Sequence, residues 1–426
     1  MRYSAVSTGL TIQDVERVLR QHGATGIRVA PRVNQVMCDL DPSVIAKLNT
    51  MTGLSIKAIR KIGSAISPPT PASTGESVFG MYAANNISTL YQLRHYFDPP
   101  LTGAGYTIAV LDSGIRKTHR GLVGKVIHEE NFSDSLTMGD VFDHGTGVAW
   151  VCVGGQDAPG EESGIAPGAS LMNFKVIGDS GEGTVEDAVL AIERVMELRE
   201  QHADIADPLR PACINISFGA VDTGDPEDPL RVACRAAAEV KMGVVCAAGN
   251  GGPTPGTILS PACDPDLIAV GSVKLSPLLL VSDFSSRGPT IEGTIKPDIV
   301  FFGENILVAS CVSDDAFVAK SGTSFATPFV SAGNALAQEL GIKVLGMSPD
   351  ELWGIAEWAK EIPQISMKYQ GELVGKDNSY GYGMPYGELV TSLFSGAVMG
   401  PSMLGAIMPV MVLAMMIPMI GKVMKT

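Results

Sequence analysis

At 426 residues, with 45% hydrophobic and 18% charged side chains, the chain is long enough for one large core with appendages. A formal net charge of −14 without a run of Lys or Arg argues against nucleic-acid binding as its main task. The seven cysteines (38, 152, 213, 234, 246, 263, 311) are odd in number, scattered and without a Cys-x-x-Cys pair. That disfavours a disulfide framework and a zinc site, and fits small buried hydrophobes in a reducing compartment.

The first residues, Met1-Arg2-Tyr3-Ser4-Ala5-Val6-Ser7, run straight into polar helical sequence and carry no apolar signal core, so export by the usual route is not expected. Residues 1–62 read as a compact α+β unit. A strand over 3–7 is followed by a helix capped by Thr11, with Ile12, Val15, Val18 and Leu19 on one face and Gly23 closing it. Strands over 26–30 and 35–40, a helix over 42–51 and a strand over 55–59 complete a βαββαβ order, that of a split βαβ, ferredoxin-like domain. Residues 63–78 are rich in Pro, Ser and Gly and read as an exposed linker.

From 79 to 392 strand-like and helical runs alternate, the pattern of an α/β domain with a mostly parallel sheet. Strands are expected over 106–111, 171–177, 213–218, 243–247 and 267–273, with helices over 185–199 and 230–241. No charged residue occurs between 389 and 421, and Val398 to Gly421 is long enough to span a bilayer, although Pro409 would kink it. The tail 393–426 is therefore expected to reach a membrane; the alternative is an apolar segment packed on the protein itself or on a partner.

Four stretches carry chemistry. Strand 106–111 ends in Asp112-Ser113-Gly114, and an acid at the tip of a buried strand needs a partner. Asp143-His144-Gly145-Thr146 opens an apolar helical run, its small residues leaving room for a substrate backbone. Ser324 lies in Gly322-Thr323-Ser324-Phe325-Ala326-Thr327-Pro328 at the start of an apolar helix, where unpaired N–H groups favour developing negative charge. Pro328 is expected in the first turn, where its missing N–H costs nothing. An acid, a histidine and a serine form the set for nucleophilic acyl transfer: His144 takes the Ser324 proton and Asp112 holds the imidazole in one tautomer. The chain order Asp, His, Ser and the lack of a Gly-x-Ser-x-Gly elbow remove the α/β-hydrolase reading.

Val110 to Ile115, His144 to Ala149 and Gly322 to Pro328 together resemble the Asp, His and Ser motifs of subtilisin-like serine proteases, over about residues 80–390. The resemblance implies a three-layer α/β catalytic domain and a serine endopeptidase. It implies Asn250, in Ala247-Ala248-Gly249-Asn250, as an oxyanion donor beside the Ser324 N–H. It also implies Ser217-Phe218-Gly219 and Gly181-Glu182-Gly183 as the two edges between which an extended polypeptide substrate lies. The 1–62 unit then resembles a prodomain that assists folding and occupies the cleft as an intramolecular inhibitor until cut away within 63–78; a permanent accessory domain is the alternative. No cofactor is implied for catalysis. A structural calcium ion is common in the family, but the acidic loop 156–162 lacks the ligand spacing of a defined site. Three departures from the family pattern stand out: Gly147 where His is common, Phe325 where Met is usual, and Phe301-Phe302-Gly303 for Ala-Pro-Gly. A non-enzymatic peptide-binding protein and a serine esterase are the competing functions. The tail and the lack of a signal peptide together imply a membrane-associated protein on the intracellular side.

Overall fold

A computed structural model describes residues 1–51, 53–64, 94–95, 97–155, 164–274, 279–343, 366–367 and 375–385. The linker beyond Ser64, the loop 156–162 and the tail 393–426 lie outside the described residues.

The N-terminal region contains β1 (Arg2–Ser7), α1 (Ile12–Gln21), β2 (Thr25–Ala30), β3 (Gln35–Asp39), α2 (Pro42–Leu48) and β4 (Leu54–Ala58). Thr11 caps α1 by accepting from the Asp14 N–H, and Asp41 caps α2 by accepting from that of Ser43. The four strands form an antiparallel sheet in the order β2-β3-β1-β4 over a small core of its own that includes Tyr3, Val15, Leu19 and Ile56. The next four residues depart from the sequence reading. Lys61–Ser64 form a strand, β5, where the linker was expected to begin.

The larger sheet has seven strands in the order β14-β13-β12-β10-β6-β8-β7, every pairing parallel. They are β6 (Thr107–Asp112), β7 (Val126–Asn131), β8 (Ser170–Lys175), β10 (Pro211–Ile216), β12 (Gly243–Ala247), β13 (Ile268–Lys274) and β14 (Ile299–Glu304). A parallel sheet is buried on both faces, and the alternation of side chains sorts them between two cores. Ile108 and Val110 of β6 join one cluster with helices α3 (Gly145–Val153) and α6 (Thr323–Lys343). Ala109 and Leu111 join the other, with α4 (Val185–Gln201) and α5 (Pro229–Glu239). The result is the expected helix–sheet–helix sandwich.

Four short strands lie at the functional end: β9 (Glu182–Thr184), β11 (Phe218–Gly219) and the hairpin β15 (Ile306–Ala309) with β16 (Phe317–Lys320). β5 lies between β11 and β9 and pairs antiparallel with both, Ser64 opposite Phe218 and Ile62 opposite Gly183. Ile62 is 2% exposed and belongs to the α4/α5 cluster. Among the described residues, no helix is long and apolar enough to cross a membrane.

Candidate active site

The parallel sheet sets the geometry, because the ends of its strands deliver polar groups to one edge. Asp112 is the last residue of β6 and is 1% exposed. Its Oδ1 accepts from the Ser113 N–H at 2.7 Å and lies 2.7 Å from His144 Nδ1. A carboxylate oxygen accepts, so the proton of this contact is assigned to Nδ1, and Nε2 is the nitrogen turned away from Asp112. His144 Nε2 is buried and makes no hydrogen bond among the described residues.

His144 precedes α3, and Gly145 explains how it comes so close to β6. A Cβ at 145 would stand 2.2 Å from the Gly114 carbonyl oxygen and 3.0 Å from Asp112 Oδ1. Any larger residue would push the imidazole and the carboxylate apart.

Ser324 is the second residue of α6 and fully buried. Its Oγ donates to the Ser217 carbonyl oxygen at 2.9 Å, and the Ser217 hydroxyl donates to the Ser324 carbonyl at 2.9 Å. The second bond corrects the expectation for Pro328. That proline is the sixth residue of α6, beyond the first turn, so its missing N–H does leave a carbonyl four residues back without its helical partner. That carbonyl belongs to Ser324, and Ser217 satisfies it. Asn215 Nδ2 in turn donates to Ser217 Oγ, and Ser331 Oγ donates to Asn215 Oδ1, so the lock is anchored in β10 and α6. Asn250 follows β12; its Oδ1 accepts from the Thr323 N–H at 2.9 Å and from Thr323 Oγ1 at 3.0 Å. These bonds fix the amide's orientation, with its NH₂ on the opposite side from Thr323.

The two stretches expected to form substrate edges lie on either side of β5. Ser217, Phe218 and Gly219 run from the end of β10 into β11, and Gly181, Glu182 and Gly183 lead into β9. Their facing main chains are bridged by β5.

Two groups that sequence reasoning passed over support the site. Lys175, the last residue of β8, is fully buried and donates to the carbonyls of Ser113 (2.6 Å) and Gly139 (2.9 Å) while pairing with Asp179. Asp140 accepts from Ser113 Oγ and from the N–H groups of Asp143 and Thr146, tying the Asp112 turn to the start of α3. Burial pushes the Asp140 carboxyl above its ordinary range, against the pull of the Thr146 and Ser113 hydrogen bonds. A charged residue inside the apolar run Leu171–Ile177 was the signal available for Lys175. Asp140, Asp143 and Cys311 also converge. Asp143 is already engaged by Lys320, Ser310 and the Cys311 N–H, so the cluster reads as a polar brace.

The three departures find packing explanations. Phe325 lies against the His144 ring, centroids 5.2 Å apart. A Cβ at Gly147 would come within 3.1 Å of the Phe325 ring and 2.8 Å of Val308, so the glycine and the phenylalanine are one packing solution. Phe301 and Phe302 are buried against Phe329 of α6.

Residues 103–383 match the model of a family described as the subtilase family. The chain is 32% identical over 309 residues to serine protease AprX of Bacillus subtilis, covering 66% of this chain and 67% of that protein. It is 34% identical over 243 residues to the major intracellular serine protease of B. subtilis, covering 55% and 68% of the two chains. An intracellular serine protease of Paenibacillus polymyxa is 31% identical over 248 residues, with 56% and 68% covered.

Proposed function

Because the chain belongs to the subtilase family and is a subtilisin-like serine endopeptidase, we propose that Ser324, His144, Asp112 and Asn250 carry the reaction and that residues 1–62 hold it latent. The observation that carries the first part is the buried 2.7 Å contact of Asp112 with His144, which leaves Nε2 as the base.

In the working site Ser324 Oγ turns from the Ser217 carbonyl to His144 Nε2 and gives up its proton as it attacks the peptide carbonyl. Asp112 holds the ring and stabilises the imidazolium. The Ser324 N–H and Asn250 Nδ2 donate to the oxyanion, and His144 then protonates the leaving amine, giving an acyl-enzyme that water hydrolyses. No step requires a cofactor. The substrate is a polypeptide in extended conformation, hydrogen-bonded by its main chain between Ser217-Phe218-Gly219 and Gly181-Glu182-Gly183.

The latency reading rests on β5. It fills the place between those two edges, and its register stops at Phe218, one residue from the Ser217 carbonyl that receives the Ser324 hydrogen bond. A chain continuing past Ser64 reaches the nucleophile within a residue or two, so the first cut falls early in the linker 63–78. Residues 1–62 are then a prodomain, 79–392 the catalytic domain, and 393–426 a membrane tether on the intracellular side; the charge-free run 389–421 supports the tether and the intracellular relatives support the side.

A fluorophosphonate probe tests the nucleophile. It is expected to label the wild type and not Ser324→Ala; absence of label from both contradicts the assignment. For the tail, the full chain is expected to need detergent and a chain ending at residue 392 is not; equal partition into buffer contradicts a tether.

A further inference from the structure

Seven ion pairs join the N-terminal region to the rest of the described chain, and all have the same polarity. Arg2 forks onto Glu186, with Nε to Oε2 at 2.6 Å and Nη2 to Oε1 at 2.5 Å, and Arg28 approaches the same carboxylate at 3.6 Å. Arg32 meets Glu193 and Glu200, each at 2.9 Å, and Lys57 meets Asp225 at 2.5 Å. Arg60 pairs with Asp228, and Lys61, inside β5, pairs with Glu182 at 2.6 Å. Every cation lies before residue 62 and every anion after residue 181. Residues 1–62 hold nine Lys and Arg against four Asp and Glu, a charge of +5, which leaves −19 for the rest of a chain at −14.

The anions are built into the helices. Glu186 sits in the first turn of α4 behind the Thr184/Asp187 capping box, and Asp228 is the N-cap of α5. Both helix starts favour negative charge, so the two carboxylates present a fixed acidic face. The apolar part of the seam is confined to Ala30, Val33, Met37 and Ile62, buried in the α4/α5 core, and the half-buried Ile59 beside them. The seam is also open. A cavity of about 690 Å³ lies within it, lined by Arg2, Arg28 and Lys61 on one side and Glu182, Glu186 and Asp187 on the other.

We propose that the N-terminal region is a guard released by ionic strength, its hold on the cleft supplied mainly by this one-signed set of ion pairs. The inference rests on the latency reading above and adds what regulates it. Charge complementarity of this kind sets association rate and salt dependence; the Arg32–Glu200, Lys57–Asp225 and Lys61–Glu182 pairs are reached by solvent and screened, while those on the buried Glu186, Glu193 and Asp228 are screened less. Low salt keeps β5 between the substrate edges; high salt lets a cut N-terminal piece leave.

The test uses the full chain as purified, and follows fluorophosphonate labelling of Ser324 and co-elution of the N-terminal piece. NaCl is raised from ~0.05 M to ~1 M, over which the Debye length falls to about 3 Å. Labelling is expected to rise at least ~10-fold with loss of the piece, and Glu186→Arg is expected to label fast already at low salt. Arg2→Glu combined with Glu186→Arg is expected to restore latency. Lys57→Glu, at a half-exposed position, gives the same shift on a smaller scale should Glu186→Arg fold poorly. Slow labelling that changes less than ~2-fold across this range overturns the electrostatic release while leaving the guard in place. Fast labelling of the wild type at low salt, with the piece still attached, overturns the guard and this inference with it.

Discussion

Gly147 and Phe325 form the sharpest packing test of the site. In Gly147→Ala the new methyl would stand 2.8 Å from Val308 Cγ2 and 3.1 Å from Phe325 Cε1. The first distance is shorter than packed carbons tolerate, so Val308 must move, and the ring must give by a few tenths of an ångström. Overpacking of this size costs about 1–3 kcal/mol, and replacing a helical glycine by alanine returns up to ~1 kcal/mol. The net expectation is a destabilisation of about 0–2 kcal/mol. The functional loss should be the larger effect, because the displaced ring rests on His144. Misplacement of a catalytic group by 1 Å can cost about 10²-fold, so a shift of a few tenths predicts a several-fold fall in kcat. Phe325→Met, with a slimmer and more adaptable side chain, should recover most of it in the Gly147→Ala background, giving a coupling of ~1 kcal/mol in a double-mutant cycle. Urea unfolding and peptide hydrolysis on the four proteins decide the matter. Strictly additive effects, or an unaltered kcat in Gly147→Ala, would refute the idea that the two residues are one solution.

Asn250→Asp keeps the acceptor that Thr323 uses and removes the NH₂, so kcat is expected to fall about 10²–10³-fold with KM and unfolding midpoint little changed; an equal loss of stability would assign Asn250 to the scaffold instead. The thiols should resist alkylation. Burial raises Cys38 to about 11 and Cys213 and Cys263 to about 12; for the partly exposed Cys311, burial and then the Asp140 and Asp143 charges raise it to about 12. At pH ~8 the thiolate fractions are negligible, so native protein should take up less than about one iodoacetamide per chain and denatured protein all seven, whereas rapid native labelling at Cys311 would contradict the described packing.

The candidate catalytic residues stand out in the sequence because each sits where local pattern changes character. Asp112 ends an apolar strand, while His144 and Ser324 stand among small residues at helix starts. The parallel sheet was legible from the alternation of apolar strand-like and helical runs. What escaped notice depends on partners distant in the chain. Locally, Lys61-Ile62 reads as the end of the first unit and Gly63-Ser64 as the start of a linker, since β5 exists only through pairing with residues more than a hundred positions away. Pro328 was placed in a first turn because the sequence does not reveal that Ser217 supplies the bond it withholds. Gly147, Phe325 and the Phe301-Phe302 pair looked like separate departures; only contact geometry shows that the first two fill one volume and that the others pack on Phe329. Lys175 lay in plain view within an apolar strand, but its two carbonyl acceptors are on other segments.

Ser324 is proposed here as a nucleophile that first acts on its own chain just beyond β5. Intact mass of the wild type and of Ser324→Ala, purified side by side, tests it most directly. The wild type should separate into an N-terminal piece ending shortly after Ser64 and a shortened remainder, with Ser324→Ala at full length. Two full-length proteins, or the same cut in both, would contradict it.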